Sequence, residues 1–162
     1  MSEQRNESVS VRIAADDNDF EEVKKLVLAY VDSLGFDISF QNFDAEIASL
    51  PTMYGPPVGG MFLAVVDGVN VGVAGIRRLN DTECELKRMY VKPGNRGLGL
   101  GRKLIDACVT HAENLGYKAI KLDTTTDMKP AMELYRSCGF REIRPYYFNP
   151  QGNAKYFSLA LT

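Results

Sequence analysis

Arg96-Gly97-Leu98-Gly99-Leu100-Gly101 follows an apolar strand pattern, Leu86 to Val91, and precedes an amphipathic helical pattern, Leu104 to Leu115. A strand, a glycine-rich turn and a helix start together make a phosphate cradle. Backbone N–H groups converge there, and the positive end of the helix dipole points at the same spot. Glycine lets the main chain approach an anion with no Cβ in the way. The stretch predicts a bound phosphorylated ligand and a mixed α/β fold around it.

On the N-terminal side, Met1 to Ser8 are polar and read as frayed, and Val9, Val11 and Ile13 alternate as a first strand. Asp19 and Glu22 have capping-box spacing, and Phe20, Val23, Leu26, Val27, Tyr30, Val31 and Leu34 recur at helical spacing until Gly35. A second helix is expected from Ser39, burying Phe40, Phe43, Ile47 and Leu50 and stopping at Pro51, with loop from Pro51 to Gly60. Met61–Val66 and Val69–Arg77 read as strands joined at Asp67-Gly68, a hairpin signal, and Glu83–Val91 as a third.

Beyond the cradle, Gly116 ends the helix, Ala119–Leu122 is a short buried strand, and Asp127–Ser137 is helical with Pro130 in its first turn. Phe140–Tyr147 and Lys155–Leu161 are the last two strands. The order β-α-α-β-β-β-α-β-α-β-β predicts one α/β domain over residues 1–162, with a partly antiparallel central sheet of about seven strands and about four helices.

Composition narrows the function classes. The formal charge of −2 argues against a nucleic-acid binder that relies on a broad basic surface. Cys84, Cys108 and Cys138 are odd in number and form no C-x-x-C pair, so neither a disulfide framework nor a metal site is expected, and a reduced cytoplasmic setting fits. No run reaches the length of a membrane span, and the polar N-terminus lacks a signal-peptide core.

The cradle matches no Walker A string, and a dinucleotide G-x-G-x-x-G read from Gly97 meets Arg102 where its last glycine belongs. Tyr90-Val91-x-Pro93 followed by Arg96-x-x-Gly99-x-Gly101 resembles motif A of the GNAT superfamily, the acetyl-coenzyme-A-dependent N-acetyltransferases. Ala131-x-x-x-Tyr135-x-x-x-Gly139-Phe140 resembles its motif B. The two motifs, in the family's order and spacing, cover the chain from Cys84 onward; the N-terminal half matches in element order only.

The resemblance implies that Arg96, Gly97, Leu98, Gly99, Leu100, Gly101 and Arg102 wrap the pyrophosphate of acetyl-coenzyme A, largely through main-chain N–H groups. It implies that Met89, Tyr90 and Val91 pair with the pantetheine arm, with a backbone N–H near Met89 as oxyanion donor. Many members carry an asparagine seven residues before the motif B tyrosine, where it bonds pantetheine. Met128 stands there instead, so that bond is either missing or made by Thr124, Thr125 or Thr126.

Acyl transfer to nitrogen needs a neutral amine, and deprotonating an alkylammonium of pKa ~10.4 at pH 7 costs about 4–5 kcal/mol. Glu85, eleven positions before Arg96, matches the general-base glutamate of histone-acetylating members; Glu83 is the reserve. Regular alternation would put Glu85, Lys87 and Met89 on one face, unless a bulge shifts the phase. Equally, Glu85 reads as a strand carboxylate paired with Lys87 or Arg88. Tyr135 matches the tyrosine that protonates the departing thiolate, its alternative being a core aromatic. His111 and the cysteines read as structural, and Arg77 and Arg78 as solvated unless the strand carries one to a substrate carboxylate.

The fold implied by the resemblance sets the acceptor between Gly35–Phe40, extended by Met53–Gly60, and Tyr146–Asn153. Phe36, Phe40, Tyr54, Tyr146, Tyr147 and Phe148, with Asp37 and Asn149, suit a small amine or amino acid. A protein or peptide amine, a catalytically silent acyl-coenzyme A sensor and a nucleotide-binding structural protein are the alternatives. No nucleic acid, membrane or metal partner is expected, and a homodimer stays open.

Overall fold

The computed structural model describes residues 8–35, 38, 42–150 and 152–162; the predicted fraying before Ser8, the helix start at Ser39, and Phe36, Asp37 and Phe40 lie outside them. Seven strands form one sheet in the order β1-β2-β3-β4-β5-β7-β6. They are β1 Val9–Ile13, β2 Gly60–Val66, β3 Val69–Arg78, β4 Glu83–Val91, β5 Ala119–Thr125, β6 Arg141–Ile143 and β7 Ala154–Ala160. All neighbours are antiparallel except β4 and β5, whose parallel pairing covers only Glu83–Glu85 against Ala119–Lys121. Among the described residues five α-helices accompany the sheet: α1 Asp17–Leu34, α2 Phe43–Ala48, α3 Leu50–Met53, α4 Leu100–Asn114 and α5 Lys129–Ser137.

Alternation along the strands feeds two cores. Phe62, Ala64 and Val66 of β2 join α4 and α5 on one face, whereas Met61 and Leu63 join α1 on the other. The Asp67-Gly68 hairpin forms as predicted, with φ of 50° and 81° at its two corner residues.

Several boundaries differ from the sequence reading. Helix α1 starts at Asp17, capped by Asp16, whose carboxylate accepts the Asp19 N–H at 2.8 Å; Asp19 in turn accepts the Ala15 N–H, so the cap lies three residues before the predicted one. The second helix is two: it breaks at Ser49, and Pro51 does not stop it but sits in the first turn of α3, where its missing N–H costs nothing. Helix α5 starts at Lys129 rather than Asp127. Strand β5 runs on to Thr125, and β6 ends at Ile143, leaving Tyr146 and Tyr147 in the β6–β7 connection.

The largest departure lies inside β4. Gly75 pairs Lys87 but Val73 pairs Tyr90, so β4 carries one extra residue, and Arg88 there adopts φ 61°. A left-handed conformation costs a non-glycine residue about 1–2 kcal/mol. The extra residue inverts the alternation: Cys84 and Leu86 before it, and Met89 and Val91 after it, all join the α4 core, while Tyr90 joins the α1 core. Met89 therefore does not share a face with Glu85 and Lys87.

Candidate functional site

Past Glu85 and Lys121 the paired β4 and β5 separate, and a cavity of about 560 Å³ opens beside the glycine-rich turn. Its wall includes Met89, Tyr90 and Val91 from β4, Arg96, Gly97, Gly99, Leu100, Gly101 and Arg102 from the turn and α4, and Met128, Ala131 and Leu134 from the α5 side. Of the predicted cofactor residues only Leu98 is missing from this wall; its side chain is 40% exposed.

The turn has the form that an anion needs. Gly97 and Gly99 have φ of 88° and 77°, and a Cβ at either would meet nothing within 4 Å. These glycines are required by the backbone torsion, and the space beside them stays open. Gly99 caps α4 without any side-chain hydrogen bond, so no side chain covers the first N–H groups of this helix. Arg96 donates from Nε to the Val91 carbonyl at 3.0 Å, and Arg102 to the Ser137 hydroxyl at 3.3 Å, which places both guanidinium groups on the rim. The residues present fit a pyrophosphate.

Two smaller cavities adjoin the main cavity, one sharing Tyr30 and Met89 with its wall and the other Tyr30 and Met128. One is lined by Tyr30, Lys87, Arg88, Met89, Asp123 and Tyr135; the other by Tyr30, Arg88, Asp123, Thr125, Met128 and Asn149, among others. Asp123 thus stands where both meet. Lys87 pairs with it at 3.7 Å, and both side chains are under 10% exposed. Burial pushes the Lys87 ammonium below its ordinary pKa, against the pull of Glu85 and Asp123. Asn149 donates to Asp123 at 3.2 Å. Sequence reading missed Asp123 because it ended β5 at Leu122, three residues before the strand's end at Thr125.

Tyr135 is buried against Phe140 and Phe157 and also lines the inner cavity, so its core and cavity placements coincide. Burial raises its pKa, which keeps the phenol protonated at neutral pH. Thr125 lies on the cavity wall with its hydroxyl buried and without a hydrogen-bond partner, while Thr124 donates to the Met128 sulfur at 3.5 Å.

Glu85, whose charge acts on the neighbouring Lys87 ammonium, is only 2% exposed. It accepts Arg77 Nε at 3.1 Å and the Tyr146 hydroxyl at 2.6 Å. Arg77, expected to be solvated, instead bridges Glu85 to Glu46, with Nη1 3.3 Å from the Glu46 carboxylate. Glu46, fully buried on α2, also accepts two bonds from Arg88, from Nε at 2.7 Å and Nη2 at 3.0 Å. Burial alone would raise the Glu46 pKa, but the Arg88 bonds and charge, with Arg77 and Lys87, hold it below the ordinary carboxylate value.

Tyr146, Tyr147 and Tyr156 stack edge to face, with centroids 5.3–5.5 Å apart, and anchor the β6–β7 connection over this network. Burial, then the Glu85 carboxylate, raises the Tyr146 pKa. Tyr54, predicted near the acceptor, is instead fully buried beneath Glu46 and Arg77. Glu83, the reserve base, pairs with Lys121 at 3.0 Å on the far side of the junction. His111 is structural, its Nε2 lying 3.1 Å from the Gly59 carbonyl. Cys84 and Cys108 are buried and Cys138 is partly buried. Among the described residues no cluster of acidic, histidine or cysteine side chains could hold a metal, and no helix is long and apolar enough to cross a membrane.

The profile of the Acetyltransferase (GNAT) family matches residues 28–140. An uncharacterized N-acetyltransferase of Schizosaccharomyces pombe is 39% identical over 165 residues, spanning 100% of this chain and 99% of that protein. Human N-acetylaspartate synthetase is 38% identical over 104 residues, 60% of this chain and 33% of that protein. Among solved structures, the acetyltransferase YncA of Salmonella typhimurium with its cofactor acetyl-CoA superposes with a TM-score of 0.68 at 20% identity, over 95% of this chain and 94% of that one.

Proposed function

Because the chain belongs to the GNAT family of acetyl-coenzyme-A-dependent N-acetyltransferases, we propose that it moves an acetyl group directly onto the amine of a small molecule. The observation that carries this reading is that the cavity of the Gly97–Gly99 cradle and the cavity of the Asp123–Lys87 pair and Tyr135 share Tyr30 and Met89 in their walls. The inner cavities bring Lys87, Asp123 and Asn149 together beside Tyr30 and Met128, polar groups that suit the amine end of a small acceptor. N-acetylaspartate synthetase, by its name, makes an acetylated small amino acid, which supports an acceptor of that size.

When bound, acetyl-coenzyme A supplies an electrophilic thioester carbonyl and a thiolate leaving group. The turn from Arg96 to Arg102 binds the diphosphate, and the Met89 N–H is the oxyanion donor. Asp123 takes the acceptor's ammonium and then its proton, because its carboxylate lines the cleft directly. Glu85 serves as the second carboxylate, reached through the Tyr146 hydroxyl. Tyr135, kept protonated by burial, gives its proton to the leaving sulfur.

A thermal-shift panel of acetyl-coenzyme A, ATP and NAD tests the cofactor; at 100 times its dissociation constant the true ligand adds about 2.7 kcal/mol of stability. Thiol release against single amino acids, diamines and peptide N-termini then tests the acceptor. Asp123→Asn should cost more turnover than Glu85→Gln, and the reverse order would return the base to Glu85. Turnover confined to peptides would overturn the small-molecule reading.

A further inference from the structure

We propose that Glu46 is a positioning residue for acetyl transfer, acting by holding Arg88 and so fixing the extra residue of β4 that turns Met89 into the cavity. The proposal rests on the acetyltransferase reading above and adds to it a residue from the opposite face of the sheet.

Arg88 holds a conformation that L residues rarely adopt, φ 61°, and its side chain is buried and held at several points. Glu46 takes its guanidinium in a two-point clasp at 2.7 and 3.0 Å. Phe43, three residues earlier on the same face of α2, lies under it with 5.3 Å from Cζ to ring centroid. Both contacts come from α2, a helix of six residues. Apolar side chains would anchor so short a helix as well, since a buried ion pair is weak evidence for stability and better evidence for a fixed geometry.

That geometry matters on both sides of Arg88. Lys87 before it pairs Asp123 in the inner cavity, and Met89 after it lines both the inner and the main cavity. With a regular period of two, Met89 would leave the α4 face altogether. One torsion therefore decides whether the oxyanion strand faces the cofactor, and α2 holds that torsion. The Glu46 carboxylate is also bonded through Arg77 to Glu85 and on to Tyr146, so the same clasp ties the strand to the β6–β7 connection.

The test is solution NMR of the full chain with coenzyme A and with acetyl-coenzyme A. In the unaltered protein the Met89 amide should shift differently with the two ligands, and Gly97 and Gly99 should respond equally to both. Glu46→Gln should lose the Met89 difference and the left-handed backbone shifts of residue 88, while the Gly97 and Gly99 responses persist. Adding Arg88→Gly to Glu46→Gln should restore the Met89 difference, because glycine adopts that torsion unaided; adding Arg88→Ala should not. Should Glu46→Gln fail to fold, Glu46→Asp, which keeps the charge and shortens the reach, takes its place in the same measurements. A positive φ retained at residue 88 in the Glu46 variant, or equal behaviour of the glycine and alanine double variants, overturns the proposal. A Met89 amide in the unaltered protein that ignores the acetyl group overturns the acetyltransferase reading instead, leaving the backbone measurement at residue 88 to judge Glu46 alone.

Discussion

The two ends of the cleft are built from different material. At the glycine-rich turn the main chain sets the form: Gly97 and Gly99 supply the left-handed torsions, and the start of α4 carries no side-chain cap. At the other end charged side chains dominate, with Glu46, Arg77, Glu85, Lys87, Arg88 and Asp123 gathered from α2, β3, β4 and β5 into a largely buried cluster of three carboxylates and three cations. A main-chain site tolerates exchange of its side chains but not of its glycines. A side-chain site of this kind answers to single neutralisations and to pH.

Variants at each end sharpen that contrast. Tyr135→Phe, at the meeting point, should lower turnover about 100-fold with little change in acetyl-coenzyme A affinity, as befits a lost proton donor; steady-state thiol release and calorimetric titration together check it. At the cofactor end, Gly99→Ala should weaken acetyl-coenzyme A binding roughly tenfold, the equivalent of about 1.4 kcal/mol, through backbone strain and not collision. The same calorimetry measures it, and unaltered affinity would break the contrast.

The acceptor end should show itself in acid. The Glu46 pKa lies below its ordinary value in the folded chain, so its contribution to stability is complete above the ordinary carboxylate pKa of about 4.3 and is lost as the pH falls through the lower, folded value. Denaturant melts of the unaltered chain and Glu46→Gln should therefore differ most near neutrality and converge in acid. A constant difference would remove Glu46 from the acid sensitivity.

Local signals were the legible ones. The Asp67-Gly68 hairpin, the span Glu83–Val91 and the glycine-rich turn each follow from a few adjacent residues whose torsions or alternation leave few choices. The ionic network left no such trace. Glu46 and Arg88 are 42 positions apart, and Glu85 and Tyr146 are 61 apart. In sequence Glu46 is one more polar letter on a short helix, and only the folded sheet brings Arg77 between two carboxylates. Asp123 escaped for a simpler reason, because the apolar run that marks β5 stops at Leu122 while its pairing with β7 continues to Thr125.

A strand with one extra residue obeys two substitution grammars. From Glu83 to Lys87, odd positions take charge and even ones face the α4 core; from Met89 to Val91 it is the odd positions that face the α4 core, with Tyr90 turned to the α1 core. A lysine suits position 87 and would be misplaced at position 89, although the spacing is that of an ordinary repeat. Strand β4 is in effect two short strands sharing one backbone. The first ends by bringing Lys87 to the inner cavity, and the second brings Met89, Tyr90 and Val91 to the main one, so each half answers to a different part of the cleft.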